Sequence, residues 1–206
     1  MFAALFGTVV RPTDEELARR SVEGDRQAFS ELVRRYQARV YSLCLRWMGE
    51  PALAEEVAQD VFLSLYRALG SFRGDARLST WIYRVAINHC KNKSLYHRRR
   101  ARGRHEPLEG LGDEEDGPKR QVASDGPGSD SGMHQQEAEH LLEGALEALD
   151  DDHRQIILLR DVEDLSYEEI AEILSLPKGT VKSRLHRARH ELARRLGKRV
   201  SSADVL

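Results

Sequence analysis

The sequence lacks the side-chain clusters on which most enzymes depend. Its two cysteines, Cys44 and Cys90, have no partners at metal-ligand spacing, and its eight histidines are scattered along the chain. It contains no carboxylate pair, glycine-rich phosphate loop or nucleophile with supporting partners. These absences predict a protein that is not an enzyme, with no catalytic residue, no metal site, no cofactor and no small-molecule substrate.

Long apolar runs are also missing, apart from the start of the chain. The segment MFAALFGTVV is too short to span a membrane, and it has none of the basic residues that begin a signal peptide. We expect residues 1–11 to form a flexible or partner-docking tail. Free cysteines in such a chain are typical of buried thiols in a reducing compartment, so the predicted location is the cytoplasm.

A strong net charge is absent as well, but the charges are segregated. The formal net charge is −2. From Lys178 to Arg199, nine basic residues accompany a single acid, Glu191, whereas residues 137–172 hold 13 acids and two arginines. This asymmetry predicts an oriented encounter with a polyanion, such as nucleic acid, rather than a general attraction to it.

Apolar residues recur at helical spacing, which predicts an all-α fold. Aromatic residues make up only 6% of the chain, which favours small cores, so we expect two small helical domains. Between them, Gly, Pro, Ser and acidic residues replace the periodic pattern, as is typical of a flexible linker. The predicted organisation is a tail over 1–11, a first domain over 12–100, an acidic flexible linker over 101–136, a second domain over 137–197 and a tail without a clear element over 198–206.

The second domain ends in a predicted helix–turn–helix over 165–196. Ser166 and Glu169 form a capping box at the start of its first helix, and Pro177 suits the first turn of its second helix. The second helix pairs an apolar stripe with a polar face, which is the layout of a DNA recognition helix. An ordinary amphipathic helix with a solvated basic face is the alternative. The polar face and its flanks contain Lys182, Ser183, Arg184, His186, Arg187, Arg189 and His190.

The helix predicted over 51–69 has an anomaly on its polar face. Leu63 lies there among charged residues, which is typical of a protein-docking patch, although a single exposed leucine is also common. The helix pattern alone leaves both interpretations open. The residues around Leu63 are Glu56, Gln59, Asp60, Phe62, Tyr66 and Arg67.

A loop over 70–78 leads to a helix predicted to begin near Trp81, with Ser79 or Thr80 as its cap. One face of this helix contains Trp81, Arg84, Asn88, Lys91 and Asn92. Single-stranded nucleic acid binds such faces, because bases stack on the ring and cations follow the phosphates. In the alternative interpretation, Trp81 belongs to the core and the polar residues are only solvated. The arginine cluster over 98–104 is dense enough to hold a phosphate backbone.

Four segments together resemble the extracytoplasmic-function sigma factors of bacteria. They are DRQAFSELVRRYQARVYSLCLRWMG, EEVAQDVFLSLYRAL, FRGDARLSTWIYRVAINHCKN and LSYEEIAEILSLPKGTVKSRLHRARHEL, and the resemblance covers about residues 12–100 and 137–196. It implies two helical domains that bind core RNA polymerase at the clamp helices of its largest subunit and at its flap region. It also implies recognition of the minus-10 and minus-35 promoter elements, with DNA melting, and a linker in the RNA channel. Control by an anti-sigma protein is implied too, and any membrane association is expected only through that protein.

The resemblance assigns residues to three surfaces. The polymerase-binding surface is implied at Glu56, Gln59, Asp60, Phe62, Leu63 and Tyr66. The minus-10 surface, which captures a flipped base, is implied at Phe72, Arg73, Ser79, Thr80, Trp81, Arg84, Asn88 and Lys91. The minus-35 surface is implied at Lys182, Ser183, Arg184, His186 and Arg187, where His186 replaces an aromatic residue of many relatives.

A stand-alone helix–turn–helix regulator, which binds duplex DNA without polymerase, is the alternative function. It explains the segment over 165–196 but gives no role to the loop and helix over 72–91. An enzyme that acts on nucleic acid is a further alternative, and no cluster of catalytic residues supports it.

Overall fold

The computed structural model describes the backbone of residues 11–72, 74, 76–103 and 130–203, and side chains within 11–72, 74, 76–100 and 138–197. Every regular element in these residues is helical, which confirms the all-α prediction. The first domain contains α1 (Asp14–Val22), α2 (Arg26–Met48), α3 (Pro51–Ala68), a short 3₁₀ turn (Leu69–Ser71) and α4 (Leu78–Gly103). The second domain contains α5 (Asp130–Glu147), α6 (Asp151–Ile157), a π-helical turn (Leu158–Val162), α7 (Tyr167–Leu174) and α8 (Lys178–Ala203).

Local capping chemistry sets several helix boundaries. Thr13 Oγ1 accepts a backbone hydrogen bond at the start of α1 at 3.2 Å, and Asp25 Oδ1 accepts two at the start of α2 at 2.9 and 3.1 Å. Gly49 ends α2 in the left-handed conformation, at a φ of 69°. The predicted capping box of α7 is present, since the Ser166 N–H donates to the Glu169 carboxylate at 2.9 Å and the Glu169 N–H donates to Ser166 Oγ at 3.2 Å.

The core of the first domain lies between α2, α3 and α4, with α1 packed against α2. The buried indole of Trp47 donates from Nε1 to Ser94 Oγ at 2.9 Å, which satisfies its polar atom. Cys44 and Cys90 are free, buried thiols whose Sγ atoms lie 3.8 Å apart. The hydrogen bond to Cys44, together with burial, raises the pKa of the Cys90 thiol, which keeps it protonated and unreactive.

The core of the second domain is built around α6 and α8. The side chains over 156–159 are all buried, and they belong to one hydrophobic cluster with Ile170 and Leu185. A three-residue turn over 175–177 joins α7 to α8, with Ser175 in the left-handed conformation at a φ of 54°. Burial of one face of α8 fixes its orientation and leaves the opposite face exposed.

The start of α4 differs from the sequence prediction. The helix begins at Leu78 and not near Trp81, because Leu78 is buried in the core and the Arg77 carbonyl accepts the Trp81 N–H at 3.2 Å. Ser79 and Thr80 therefore lie in the first turn of α4 and do not cap it.

Helix also extends beyond both predicted boundaries of the second domain. α5 begins at Asp130, inside the predicted linker, and α8 continues to Ala203, inside the segment predicted to have no clear element. Ion pairs of Glu191 with Arg194 and Arg195, each at 2.7 Å, support α8 near that end. Residues 1–10 and 104–129, which hold most of the predicted tail and linker, lie outside the described residues.

The two domains are in direct contact. α7 packs against α4, and both α5 and the π-helical turn pack against α2. A continuous set of buried residues extends from Leu17 in α1 to Ala188 in α8. The composition of the linker predicts a flexible connection between the domains, and no pattern in the sequence predicts this contact.

Candidate DNA-binding and protein-binding surfaces

The predicted recognition helix, α8, has two faces of opposite character. Its apolar stripe is buried, and most of its polar residues are exposed. The Arg187 guanidinium is exposed and donates to the Ser183 carbonyl at 3.4 Å. The rings of His186 and His190 meet edge to face, with their centroids 4.4 Å apart. The exposed polar residues of this face are Lys182, Ser183, His186, Arg187, Arg189 and His190.

Two cations of the predicted minus-35 set contact other helices of the second domain. The Arg184 guanidinium is half-buried and lies 3.2 Å from the Asp152 carboxylate of α6. The Lys182 ammonium lies 5.8 Å from the centre of the Tyr167 ring of α7. Within the predicted minus-35 set, Arg184 is therefore the residue whose charged side chain already forms an ion pair within the protein.

An aromatic pair marks the start of the predicted minus-10 surface. The rings of Phe72 and Trp81 lie 5.4 Å apart, and both side chains pack against the core while remaining partly exposed. Trp81 thus combines features of both interpretations, because one part of the ring belongs to the core edge and another part reaches solvent. Thr80 is buried and Ser79 is half-buried, whereas Arg73 lies outside the described residues.

The polar residues of α4 that follow this pair face the second domain. Arg84 donates to the carbonyl of Glu172, and the Lys91 ammonium lies 3.3 Å from the Asp152 carboxylate. Asn88, which lies between these two cations along α4, is exposed. The structure therefore brings the α4 residues of the predicted minus-10 set together, with two of their cations engaged by α6 and α7.

A groove with a volume of about 860 Å³ lies between α2 and α3. Four residues of the predicted polymerase-binding set line it, namely Gln59, Phe62, Leu63 and Tyr66. Leu63 is 52% exposed and Tyr66 is 54% exposed. Leu63 is therefore part of a continuous apolar surface rather than a single exposed leucine. The other two predicted residues do not line the groove, since Glu56 pairs with Lys93 of α4 at 2.5 Å and Asp60 is exposed on α3.

Sequence reasoning missed the α2 wall of this groove. The wall consists of Phe29, Val33, Gln37, Ala38 and Tyr41. The helical periodicity of α2 predicts a core position for Phe29 and Val33, but both are half-buried and line the groove. The Phe29 ring contacts the Tyr66 ring edge to face at 4.9 Å, which joins the two walls. Tyr41, an aromatic residue that falls outside the buried stripe of α2, was the signal available in the sequence pattern.

Among the described residues, no group of three His, Cys, Asp or Glu side chains is arranged to hold a metal ion. No helix in the described part of the chain is long and apolar enough to cross a membrane. The described part of the chain is a two-domain helical protein with an exposed basic helix face and an apolar groove.

Comparisons with known proteins identify the family. Residues 32–103 match the family model for Sigma-70 region 2, and residues 139–192 match that for Sigma-70 region 4. The RNA polymerase sigma-H factor of Pseudomonas aeruginosa is 37% identical over 185 residues, which cover 89% of this chain and 93% of that protein. The ECF RNA polymerase sigma-E factor of Escherichia coli strain K12 is 38% identical over 186 residues, which cover 87% and 92%.

Solved structures share the fold. CnrH, in complex with the cytosolic domain of CnrY, aligns with a TM-score of 0.63 at 22% identity, covering 90% of this chain and 97% of that chain. The sigma factor RpoE from Bartonella quintana, in complex with the anti-sigma factor NepR, aligns with a TM-score of 0.56 at 24% identity, covering 82% and 96%.

The chain belongs to the extracytoplasmic-function group of the sigma-70 family. It is an alternative sigma factor, which directs RNA polymerase to promoters, and it is not an enzyme. Family membership confirms the resemblance found in the sequence and removes the support for a stand-alone regulator.

Proposed function

We propose that the first domain reads and opens the minus-10 element. Extruding a base from the duplex costs a few kcal/mol, and stacking of that base on the exposed part of Trp81 offsets part of the cost. The exposed amide of Asn88 is placed to bond such a base, while Arg84 and Lys91 hold phosphates. The full proposed set is Phe72, Arg73, Ser79, Thr80, Trp81, Arg84, Asn88 and Lys91, in which the buried Thr80 acts by positioning the start of α4.

We propose that α8 reads the minus-35 element in the major groove. Arg187 is exposed and suits the two acceptors of a guanine edge, and Ser183 suits a base or a phosphate. Lys182 and Arg184 flank this pair and suit phosphates, which fix position without reading sequence. His186 completes the set, and the base that it meets decides the sequence preference at that position.

The groove between α2 and α3 is proposed as the site for the clamp helices of the polymerase's largest subunit. A helix that binds with its apolar face in such a groove gains most binding free energy from apolar side chains that are exposed in the free protein. Here these side chains are Leu63 and Tyr66. Gln59 and Phe62 line the same groove, and the carboxylates of Glu56 and Asp60 on α3 suit basic residues at its rim. The second domain is proposed to contact the flap region.

Regulation by an anti-sigma protein is part of the proposal. An exposed apolar groove that polymerase requires is a surface that a competing helix can cover. The RpoE structure from Bartonella quintana contains such an anti-sigma factor, NepR. Because the chain acts with RNA polymerase, we place it in the cytoplasm, and we expect contact with a membrane only through the anti-sigma protein. Residues 101–136 are proposed to follow the RNA channel.

One observation carries the proposal, which is the presence of three distinct surfaces on one chain: the exposed face of α8, the Trp81 side of α4 and the α2–α3 groove. Run-off transcription with full-length protein and core polymerase, followed by sequencing of bound promoters, tests it. We expect co-elution with core polymerase and initiation from promoters with two conserved elements. Tight binding to duplex DNA without polymerase, with no initiation, contradicts it.

A further inference from the structure

Two histidines lie one turn apart on the exposed face of α8. His186 belongs to the proposed minus-35 set, and His190 does not. Both side chains are exposed, and their rings meet edge to face, with the centroids 4.4 Å apart and the ring planes at 76°. Residues four apart in sequence share one side of a helix, so His190 lies on the face that is proposed to meet DNA. The proposed function gives it no role there.

The ring contact restricts the orientation of His186. Edge-to-face contact is favourable because the positive edge of one aromatic ring meets the negative face of the other. Without such a contact, an exposed side chain exchanges between several rotamers, and a ligand that requires one of them binds at an entropic cost. His190 therefore orients the His186 ring before DNA binds.

Charged residues surround the histidine pair. The two rings line a cavity with a volume of about 630 Å³ between α8 and the start of α6, and the charged or titratable residues that line it with them are Asp150, His153, Arg187, Glu191 and Arg194. A neighbouring cavity shares three of these residues and adds Lys91, Asp151, Asp152 and Arg184. The Asp150 carboxylate lies 3.0 Å from His153 Nδ1. Glu191 pairs with Arg194 at 2.7 Å. Both acids of the first cavity are therefore engaged by groups other than the histidine pair.

An imidazole ring presents different hydrogen-bonding groups in its two charge states. The neutral ring has one donor nitrogen and one acceptor nitrogen, whereas the charged ring has two donors and no acceptor. Histidine is the side chain whose ordinary chemistry produces this change between pH 5 and 8. A phenylalanine ring has no polar atom and presents the same surface at every pH. His186 thus brings a variable hydrogen-bonding group to a face that reads bases.

The base edges in the major groove distinguish these two states. Guanine presents two acceptors, N7 and O6, whereas cytosine presents the N4 donor. A neutral imidazole is able to donate to guanine or to accept from cytosine. A charged imidazole still donates to guanine, but it has no acceptor for the cytosine N–H. Protonation of His186 therefore favours the orientation of a G·C pair in which guanine faces the ring.

We propose that His186 and His190 form a specificity pair, in which the charge of His186 selects the orientation of a G·C pair in the minus-35 element and the His190 ring holds His186 in position. The inference rests on the proposed function of α8 as the minus-35 surface, and it adds His190 as a positioning residue. Base preference at one promoter position then depends on pH. The contacts of Arg187 do not, because a guanidinium remains charged throughout this range.

The test uses holoenzyme assembled from full-length protein and core polymerase. Holoenzyme binds a promoter library in which every minus-35 position is randomised, at about pH 6 and about pH 8, and the bound DNA is sequenced. We expect the frequency ratio of the two G·C orientations to change about tenfold between these pH values at one position, which is within the discrimination of a good base contact. A ratio that is independent of pH at every position overturns the proposal.

Two variants separate His186 from other titrating groups, including those of polymerase. His186→Phe removes the titrating ring and keeps an aromatic contact for His190, so the ratio should be the same at both pH values. His140→Gln is the matched control, because His140 is an exposed histidine of the same domain that lies on α5, beside Glu143, and does not line the cavity. It should retain the pH dependence of the wild-type protein. Equal pH dependence in the two variants overturns the proposal.

His186→Lys tests the direction of the change. A lysine ammonium donates and never accepts, and it remains charged at both pH values. This variant should therefore prefer, already at about pH 8, the G·C orientation that the wild-type protein gains at about pH 6. Preference for the opposite orientation contradicts selection by charge.

Variants of His190 test its positioning role. His190→Ala removes the ring contact, and the base preference at the same position should weaken at least threefold at both pH values. His190→Phe restores a ring of similar size and should recover the preference. Wild-type ratios in His190→Ala, or no recovery in His190→Phe, overturn the positioning role.

The same experiment distinguishes failure of this inference from failure of the proposed function. If wild-type holoenzyme shows no base preference at any minus-35 position, the proposed function of α8 is wrong. If it shows a preference that does not depend on pH, the proposed function stands and only the specificity pair is wrong.

Discussion

Leu63 gives the most direct test of the groove between α2 and α3. Its side chain is 52% exposed in the free protein. Full burial of a leucine stabilises by about 1.5–3 kcal/mol, so covering the remaining half against polymerase contributes about 0.8–1.5 kcal/mol. Leu63→Ala removes most of this contribution. The Kd for core polymerase is therefore expected to rise about four- to twelvefold, with little change in folding stability because the side chain lies outside the core.

Equilibrium titration of labelled protein with core polymerase measures this change, and thermal unfolding monitors the fold. Val22→Ala is a matched control, because Val22 on α1 is 54% exposed and is not among the residues that line the groove. Wild-type affinity in Leu63→Ala refutes the reasoning. An equal loss in Val22→Ala also refutes it, since the effect then comes from exposed apolar area in general and not from the groove.

Three further predictions concern the DNA-binding surfaces and the domain contact. Arg187→Ala is expected to weaken use of the preferred promoter by about 1–3 kcal/mol and to relax one minus-35 position; sequencing of selected promoters measures both, and an unchanged preference contradicts a base contact. Asn88→Ala is expected to slow opening of duplex promoters more than binding of pre-melted ones in stopped-flow experiments, and equal slowing argues against base capture. The Arg98 guanidinium holds the pKa of Asp151 below its ordinary value of 3.8. This ion pair therefore stabilises the contact between the two domains above that pH, and its contribution is lost as the pH falls through the lowered pKa. Small-angle X-ray scattering across this acid range is expected to show a radius of gyration that depends less on pH in Asp151→Asn than in the wild-type protein. Identical profiles for the two proteins contradict a role for Asp151 in the domain contact.

The pH prediction concerns Asp151 rather than Glu169, although the pKa of both carboxyl groups is lowered. The backbone and hydroxyl of Ser166 are the main cause for Glu169. These groups belong to the capping box of α7, so the shift persists when the domains separate. For Asp151 the main cause is Arg98, which lies in the other domain. Arg77 of the other domain adds only lesser contributions to the lowered pKa of Glu169, so the Asp151 shift reports the domain contact more directly.

Periodicity and capping residues predicted most helices because both act over one or two turns. The capping box of Ser166 and Glu169 and the three-residue turn before α8 are contacts between residues that are neighbours in sequence. The start of α4 was misplaced because it depends on burial of Leu78, which is a property of the assembled core. A residue that looks like a cap in sequence, such as Ser79, has no such role once the helix begins earlier.

Only the α3 wall of the groove was predicted from the sequence, for a similar reason. Leu63 stands out on a single helix, because charged neighbours surround it in the sequence. Phe29 and Val33 look like core residues on α2, and their place at the surface depends on how far α3 covers them. A helix pattern describes the face that a residue occupies, but it does not specify how completely the facing helix covers it.

The polar character of the domain contact bears on whether it can open. Replacement of buried charge by apolar residues is often neutral or stabilising, so the buried Glu163 carboxylate, bonded to Tyr83 and to the half-exposed Arg39, is not the arrangement that a permanent interface favours. A permanent contact gains from apolar area, whereas a contact that opens must leave surfaces that water can solvate. Separation of the domains exposes a carboxylate, a guanidinium and a hydroxyl, each of which is well hydrated. Removal of the Tyr83 hydroxyl leaves the buried Glu163 carboxylate with one donor fewer, which favours separation of the domains. Tyr83→Phe is therefore expected to weaken the domain contact without any change in charge.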